Sequence, residues 1–100
     1  MKYKIIFHSE AKKELDALDG RSGLIVLKQI KKIMVNPELG ELIGNKAGFD
    51  LSGYRKMYAN RKKIRIVYKI TDEKLIIYII SIGKRDIGIV YEEAFKRIVK

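Results

Sequence analysis

The chain has 100 residues, with 22 basic against 12 acidic side chains and a net charge of +10. It has no cysteine, which excludes a disulfide, a zinc–thiolate site and a thiol nucleophile. Hydrophobic residues make up 47%, which excludes a disordered basic tail and predicts one domain over residues 1–100 around a single core.

Tyr3, Ile5 and Phe7 are separated by Lys4 and Ile6, an alternation that predicts a first strand. Ser9 offers an N-cap, and Ala11, Leu15 and Leu18 then form one apolar stripe of a helix closed by Asp19–Gly20. Ser22 restarts a helix with Leu24, Leu27, Ile30, Ile33 and Met34 as its stripe, and Asn36–Pro37 stops it. Two helices joined by so short a turn read as a helical hairpin. Residues 36–53 hold five of the helix- and strand-breaking Gly and Pro residues and read as a plain irregular crossover.

Three strands are predicted next. They are Tyr54–Ala59, Ile64–Ile70 and Leu75–Ile82, with Thr71–Asp72–Glu73–Lys74 as a polar turn. In the second, Ile64, Ile66, Tyr68 and Ile70 alternate with Arg65, Val67 and Lys69. The third is almost continuously apolar, as expected in a sheet interior. A last helix is predicted over Ile87–Val99, with Val90, Ala94 and Ile98 on one stripe and Tyr91, Phe95 and Val99 beside it. The order is β-α-α-β-β-β-α. It predicts an α+β fold, a mainly antiparallel four-stranded sheet with the helical hairpin on one face and the other face open.

The longest apolar run, Leu75–Ile80, is six residues, far short of the ~20 that cross a bilayer. The expectation is a soluble domain in a reducing, cytoplasmic setting, with no membrane partner. His8 is the sole histidine and sits between a strand end and a helix start, where it reads as a capping or surface residue. With one His and no Cys, no metal site is expected. Asp72–Glu73 and Glu92–Glu93 read as a solvated turn and a helix surface, and Gly83–Lys84–Arg85 lacks phosphate-loop spacing. No cofactor is expected.

The charge is uneven. Residues 1–50 carry a balance of +2, residues 51–100 a balance of +8. Arg55, Lys56, Arg61, Lys62, Lys63 and Arg65 crowd one hairpin, Lys84 and Arg85 follow the third strand, and Tyr54, Tyr58 and Tyr91 are interspersed. Cations pair with phosphates and phenol rings stack on bases, so the mixture suits RNA or single-stranded DNA. Arg61, Lys62 and Lys63 alone also read as a soluble hairpin tip protecting a sheet edge. Arg65 and Arg85 border strongly apolar strands, where an arginine is costly unless it lines a site or forms an ion pair. Tyr91 reads either as a site residue or as a core residue beside Phe95.

These features resemble the RelE/ParE superfamily of toxins from type II toxin–antitoxin modules. The resemblance lies in Leu51–Ser52–Gly53–Tyr54–Arg55, Ile64–Arg65–Ile66–Val67–Tyr68, and Ser81–Ile82–Gly83–Lys84–Arg85 followed by Val90–Tyr91. It is closer to the RelE branch, and it implies a ribosome-dependent mRNA interferase. Such a toxin cleaves mRNA without a metal, by attack of the RNA 2′-hydroxyl on the adjacent phosphate. The implied catalytic set is Arg55, Lys56, Arg65, Arg85 and Tyr91, with Tyr58, Arg61, Lys62, Lys63 and Lys84 binding RNA. Arg65 and Arg85 would stabilise the phosphorane, Lys56 would be the base, and Tyr91 would position the substrate or assist proton transfer.

The branch carries two basic residues two apart on the first of these strands. Here Met57 stands two after Arg55, and Lys56 is out of phase with it. A bulge or register shift would bring Lys56 into the site, in a hairpin one residue longer than usual; otherwise the lysine function is absent or moves to Lys62 or Lys63. The resemblance also implies a RelB-like antitoxin, docked on the apolar helix stripes, and the ribosome and mRNA as partners. The alternative is a ParE-like inhibitor of DNA gyrase with no RNase activity.

Overall fold

The structure, a computed structural model, describes residues 3–46, 48–84 and 89–98. The elements are β1 (Lys4–Phe7), α1 (Ser9–Ala17), α2 (Gly20–Val35), β2 (Glu41–Lys46), β3 (Phe49–Ala59), β4 (Ile64–Thr71), β5 (Ile76–Lys84) and α3 (Ile89–Ile98). The strands form one sheet in the order β1-β5-β4-β3-β2. Among the described residues only the β1–β5 pair is parallel. The fold class is α+β as expected, with five strands rather than four among the described residues.

The additional strand is β2, inside the segment read as an irregular crossover. It pairs antiparallel with β3, which itself begins at Phe49 rather than Tyr54. A bulge between Leu42 and Gly44 shifts the register, and Gly44 supplies the positive φ of +68° there. The glycines are thus bulge and turn residues within an edge hairpin. Gly40 has a different constraint. Its N–H donates to the Tyr68 hydroxyl at 2.8 Å, which donates in turn to the Pro37 carbonyl at 2.6 Å. A Cβ at Gly40 would run into that hydroxyl and the Lys56 carbonyl.

Both helices begin earlier than expected, α1 at Ser9 and α2 at Gly20. His8 Nδ1 accepts from the Glu10 N–H at 3.1 Å and caps α1 in place of Ser9. Asp19 accepts from the Ser22 N–H at 2.9 Å and caps α2, so this Asp starts the second helix instead of ending the first. On α2 the inward stripe is Val26, Ile30 and Ile33, while Leu24 and Leu27 are exposed. Gln29 sits on that inward side and donates to the Tyr58 carbonyl at 2.7 Å, which fixes the rotation of the helix.

Two apolar clusters lie on opposite faces of the sheet. Ala11, Leu15, Val26, Ile30 and Ile33 of the helical hairpin pack on Ile64, Ile66, Tyr68, Ile77, Ile79 and Ile82. The opposite face is not open, as the sequence pattern predicts, but partly covered by α3. There Tyr91 and Ala94 pack with Ile43, Leu51 and Val67. A bulge in β5 opposite Val67/Tyr68 keeps Ile77, Ile79 and Ile82 all on the hairpin face.

β1 ends at Phe7, opposite Ile79, so the edge of β5 beyond it has no strand partner on that side among the described residues. Side chains take over. Glu14 of α1 accepts from the Ile82 N–H at 3.0 Å, and Arg97 of α3 donates to the Ile80 carbonyl at 2.7 Å. Glu14 and Arg97 join each other through two hydrogen bonds of 2.8 and 2.9 Å. This pair closes the sheet edge and pins α3 in place.

Candidate active site

The register of β3 against β4 decides which side chains meet. Tyr54 opposes Lys69, Lys56 opposes Val67 and Tyr58 opposes Arg65. Alternate residues share a face, so Tyr54, Lys56, Tyr58, Arg65 and Lys69 all lie on the α3 side. The pairing from Tyr54 to Ala59 runs without a bulge. Lys56 therefore needs no register shift to enter the site.

Arg55 is the residue that is out of phase. It points to the other face, beneath the 37–40 turn. There its Nη1 donates to the Gly40 carbonyl at 2.7 Å and its Nη2 lies 3.8 Å from the Glu38 carboxylate. The structure does not bring it together with Lys56 and Arg65. Met57, also on that face, packs against the hairpin core. The two polar residues two apart on one face are Lys56 and Tyr58, the second a phenol rather than a cation.

Arg65 is the centre of the cluster. It is 7% exposed. Its guanidinium carbon lies 4.5 Å from the Tyr91 ring centroid and 5.3 Å from that of Tyr58. Its Nη2 reaches the Tyr58 hydroxyl at 3.4 Å, and its Nε has no hydrogen-bond partner among the described residues. None of the ion pairs among the described residues involves Arg65, Lys56, Lys62 or Lys69. A guanidinium held between two rings with an unpartnered Nε among the described residues is a ready anion receptor. Tyr91, only 5% exposed, belongs to the core and also forms the floor under Arg65.

Around Tyr58 the cations converge. Lys56 Nζ is 5.5 Å and Lys62 Nζ 5.9 Å from its ring centroid. The hydrogen bond from Arg65 pulls the Tyr58 phenol below its ordinary value. Partial burial opposes this, and the charges of Arg65 and Lys56 reinforce it. Tyr54 and Tyr68 are shifted up instead, chiefly by burial. Lys69 Nζ stands 5.3 Å from the Tyr54 ring centroid and extends the row of cations and phenols along the strands, away from the β3–β4 turn. Lys69 was not singled out from the sequence, although the two-residue period from Arg65 marks it.

Arg61, Lys62 and Lys63 are exposed in the β3–β4 turn. Lys62 alone of the three contacts the Tyr58 ring among the described residues. Lys84 ends β5 opposite Ile64, which places its backbone beside the cluster. Arg85 lies outside the described residues. No group of His, Asp and Glu among the described residues converges as a metal site. No helix among them is long and apolar enough to cross a membrane.

Fold and face together define a small α+β protein that presents cations and phenol rings on one side of its sheet. A family model described as "ParE toxin of type II toxin-antitoxin system" matches residues 5–87. The chain is 36% identical over 103 residues to the mRNA interferase toxin RelE of Escherichia coli K12, covering 99% of this chain and 100% of that protein. A mutant of E. coli toxin RelE solved in the free state superposes with a TM-score of 0.80 at 30% identity, covering 98% of this chain and 99% of that one. A mutant E. coli RelE in complex with an antitoxin peptide gives a TM-score of 0.71 at 27% identity, over 94% and 95% of the two chains. The chain belongs to the RelE/ParE family of type II toxin–antitoxin toxins.

Proposed function

We propose that this toxin is a ribosome-dependent mRNA interferase, which cleaves mRNA without a metal by driving the 2′-hydroxyl onto the adjacent phosphate. The observation that carries the reading is Arg65. It is a buried guanidinium whose Nε has no hydrogen-bond partner and which has no carboxylate partner among the described residues, in a chain 36% identical to an mRNA interferase toxin. A buried cation without a counter-ion is destabilising on its own, and a scissile phosphate supplies the missing charge.

In this reading Arg65 and Lys56 hold the phosphorane, whose charge grows in the transition state. Tyr91 seats Arg65. Tyr58 offers a stacking face, and Arg61, Lys62, Lys63 and Lys69 draw in the RNA backbone by salt-sensitive attraction. Arg85 and Lys84 complete the phosphate contacts, as the resemblance implies. Arg55 moves from chemistry to positioning, since it ties the 37–40 turn to the sheet. Few of these groups exchange protons readily, so orientation by the ribosome supplies a large part of the rate. The partner that restrains the toxin is a RelB-like antitoxin, for which exposed Leu24 and Leu27 on α2 offer apolar contacts.

The test adds purified toxin to programmed ribosomes in the presence of a chelator and maps new mRNA 5′ ends. Cuts phased to codons, absent for Arg65→Ala and Arg85→Ala proteins of native circular dichroism, are expected. Intact mRNA together with gyrase-dependent DNA breaks would overturn the reading in favour of a gyrase inhibitor.

A further inference from the structure

Resting on the RNA-cleaving reading, we propose that the hydroxyl of Tyr58, as its phenolate, is the general base that takes the proton from the attacking 2′-hydroxyl. The argument is geometric. Tyr58 is half-buried, and among the described residues its ring is flanked by Lys56 on β3, Lys62 in the turn and Arg65 on β4. From α3, Tyr91 lies against Arg65, so Arg65 is held between the two phenol rings. Arg65 Nη2 approaches the Tyr58 hydroxyl oxygen at 3.4 Å. That contact uses the oxygen as an acceptor and favours its anionic form.

The other groups suit the role less. A guanidinium does not give up its proton in a protein, so Arg65 cannot be the base. Lys56 faces the same space with an ammonium, which serves as a donor to phosphate while it keeps its charge. The hydrogen bond from Arg65, with the charges of Arg65 and Lys56, lowers the proton affinity of the Tyr58 phenol. A base works best when its pKa approaches the working pH.

In the step itself the proton moves from the 2′-oxygen to Tyr58 Oη as the 2′-oxygen–phosphorus bond forms. The bond from phosphorus to the 5′-oxygen breaks, and that oxygen takes a proton from water. The products are a cyclic 2′,3′-phosphate and a 5′-hydroxyl, and the Tyr58 phenol returns its proton to water.

The experiment compares wild type, Tyr58→Phe and a protein carrying a fluorinated tyrosine at position 58 in single-turnover cleavage on programmed ribosomes across pH. Tyr58→Phe keeps the ring and its cation contacts and loses only the hydroxyl. Its rate is expected to fall about 100-fold and to lose the alkaline-rising limb, with unchanged ribosome affinity. The fluorinated residue, a more acidic phenol, is expected to shift that limb to lower pH. Wild-type rates from Tyr58→Phe, or a fluorotyrosine profile that superposes on wild type, would overturn the proposal and leave the RNA-cleaving reading standing. Uncut mRNA with the wild-type protein would instead overturn that reading, and this proposal with it.

Discussion

The two faces of the central strands differ more than any two ends of the molecule. On β4, Ile64, Ile66 and Tyr68 enter the dry cluster under α1 and α2, while Arg65 and Val67, one residue away, face α3. On β3, Arg55 and Met57 turn to the hairpin side and Lys56 and Tyr58 to the other. The dry face satisfies its few polar groups internally: the Tyr68 hydroxyl both accepts and donates. The α3 face leaves cations without carboxylates among the described residues. A two-residue period thus lets one pair of strands hold the fold together with one set of side chains and present cations and phenol rings with the other.

Substitutions on neighbouring residues should therefore separate cleavage from stability. Arg65→Ala carries the largest expected effect: a fall in mRNA cleavage of about 1,000-fold, roughly 4 kcal/mol of transition-state stabilisation. Its melting temperature should hold or rise, because a buried charge without a partner is removed. Arg65→Lys should not restore the rate, since an ammonium lacks the planar fork. Ile79→Ala, on the dry face and fully buried, should do the reverse. Urea melts should show a loss of about 3 kcal/mol, with cleavage per folded molecule unchanged. A stable, inactive Ile79→Ala protein, or an unfolded Arg65→Ala protein, would dissolve the distinction between the faces.

Much of this division is legible in the sequence. The alternation Ile64–Arg65–Ile66–Val67–Tyr68 places arginine opposite an isoleucine row, and a strand period needs no structure to be read. Two things were hidden. The first was β2: an edge strand has only one covered face, and its bulge at Gly44 breaks the alternation while Gly40 and Gly48 flank it like loop glycines. The second was the phase of β3. Arg55, Lys56, Met57 and Tyr58 permit either parity, and only pairing with β4 selects Lys56 and Tyr58 over Arg55 and Met57 for the α3 face. The exposed Leu24 and Leu27 misled for a related reason. Both fit a helical stripe, but Gln29 and its bond to the Tyr58 carbonyl turn Val26, Ile30 and Ile33 inward.

The Glu14–Arg97 pair joins the two faces, linking α1 on one side with α3 on the other across the edge of β5. Glu14→Ala would leave the Ile82 N–H without its acceptor and the largely buried Arg97 with only the Ile80 carbonyl and the more distant Glu93 carboxylate among the described residues. A loss of about 2 kcal/mol is expected, below that of a fully buried pair because Glu14 is partly exposed. Hydrogen exchange should locate the damage, with faster exchange at the Ile82 amide and along α3, and little change in α2. Because α3 carries Tyr91 beneath Arg65, cleavage should drop as well. A drop confined to stability would mean that Arg65 is seated without help from α3.

The smallest expected effect tests the turn that bounds the charged face. Asn60, Arg61 and Lys62 adopt φ values of +52°, +57° and +67° in succession. Each non-glycine residue there is strained by roughly 1 kcal/mol. Lys62→Gly relieves that strain but adds chain entropy to the unfolded state, for a net gain of about 0.5 kcal/mol. It also removes the ammonium beside the Tyr58 ring. Cleavage should then fall a few-fold, and the salt dependence of ribosome binding should flatten by about one counter-ion. Arg61→Gly makes the same backbone change at a side chain with no contact to Tyr58 among the described residues. It should give the same small stabilisation, with a flatter salt dependence and an unchanged rate for bound toxin. Equal loss of rate from both would reduce the turn to undirected charge; a loss from Lys62→Gly alone would extend the reactive face to the tip of the hairpin.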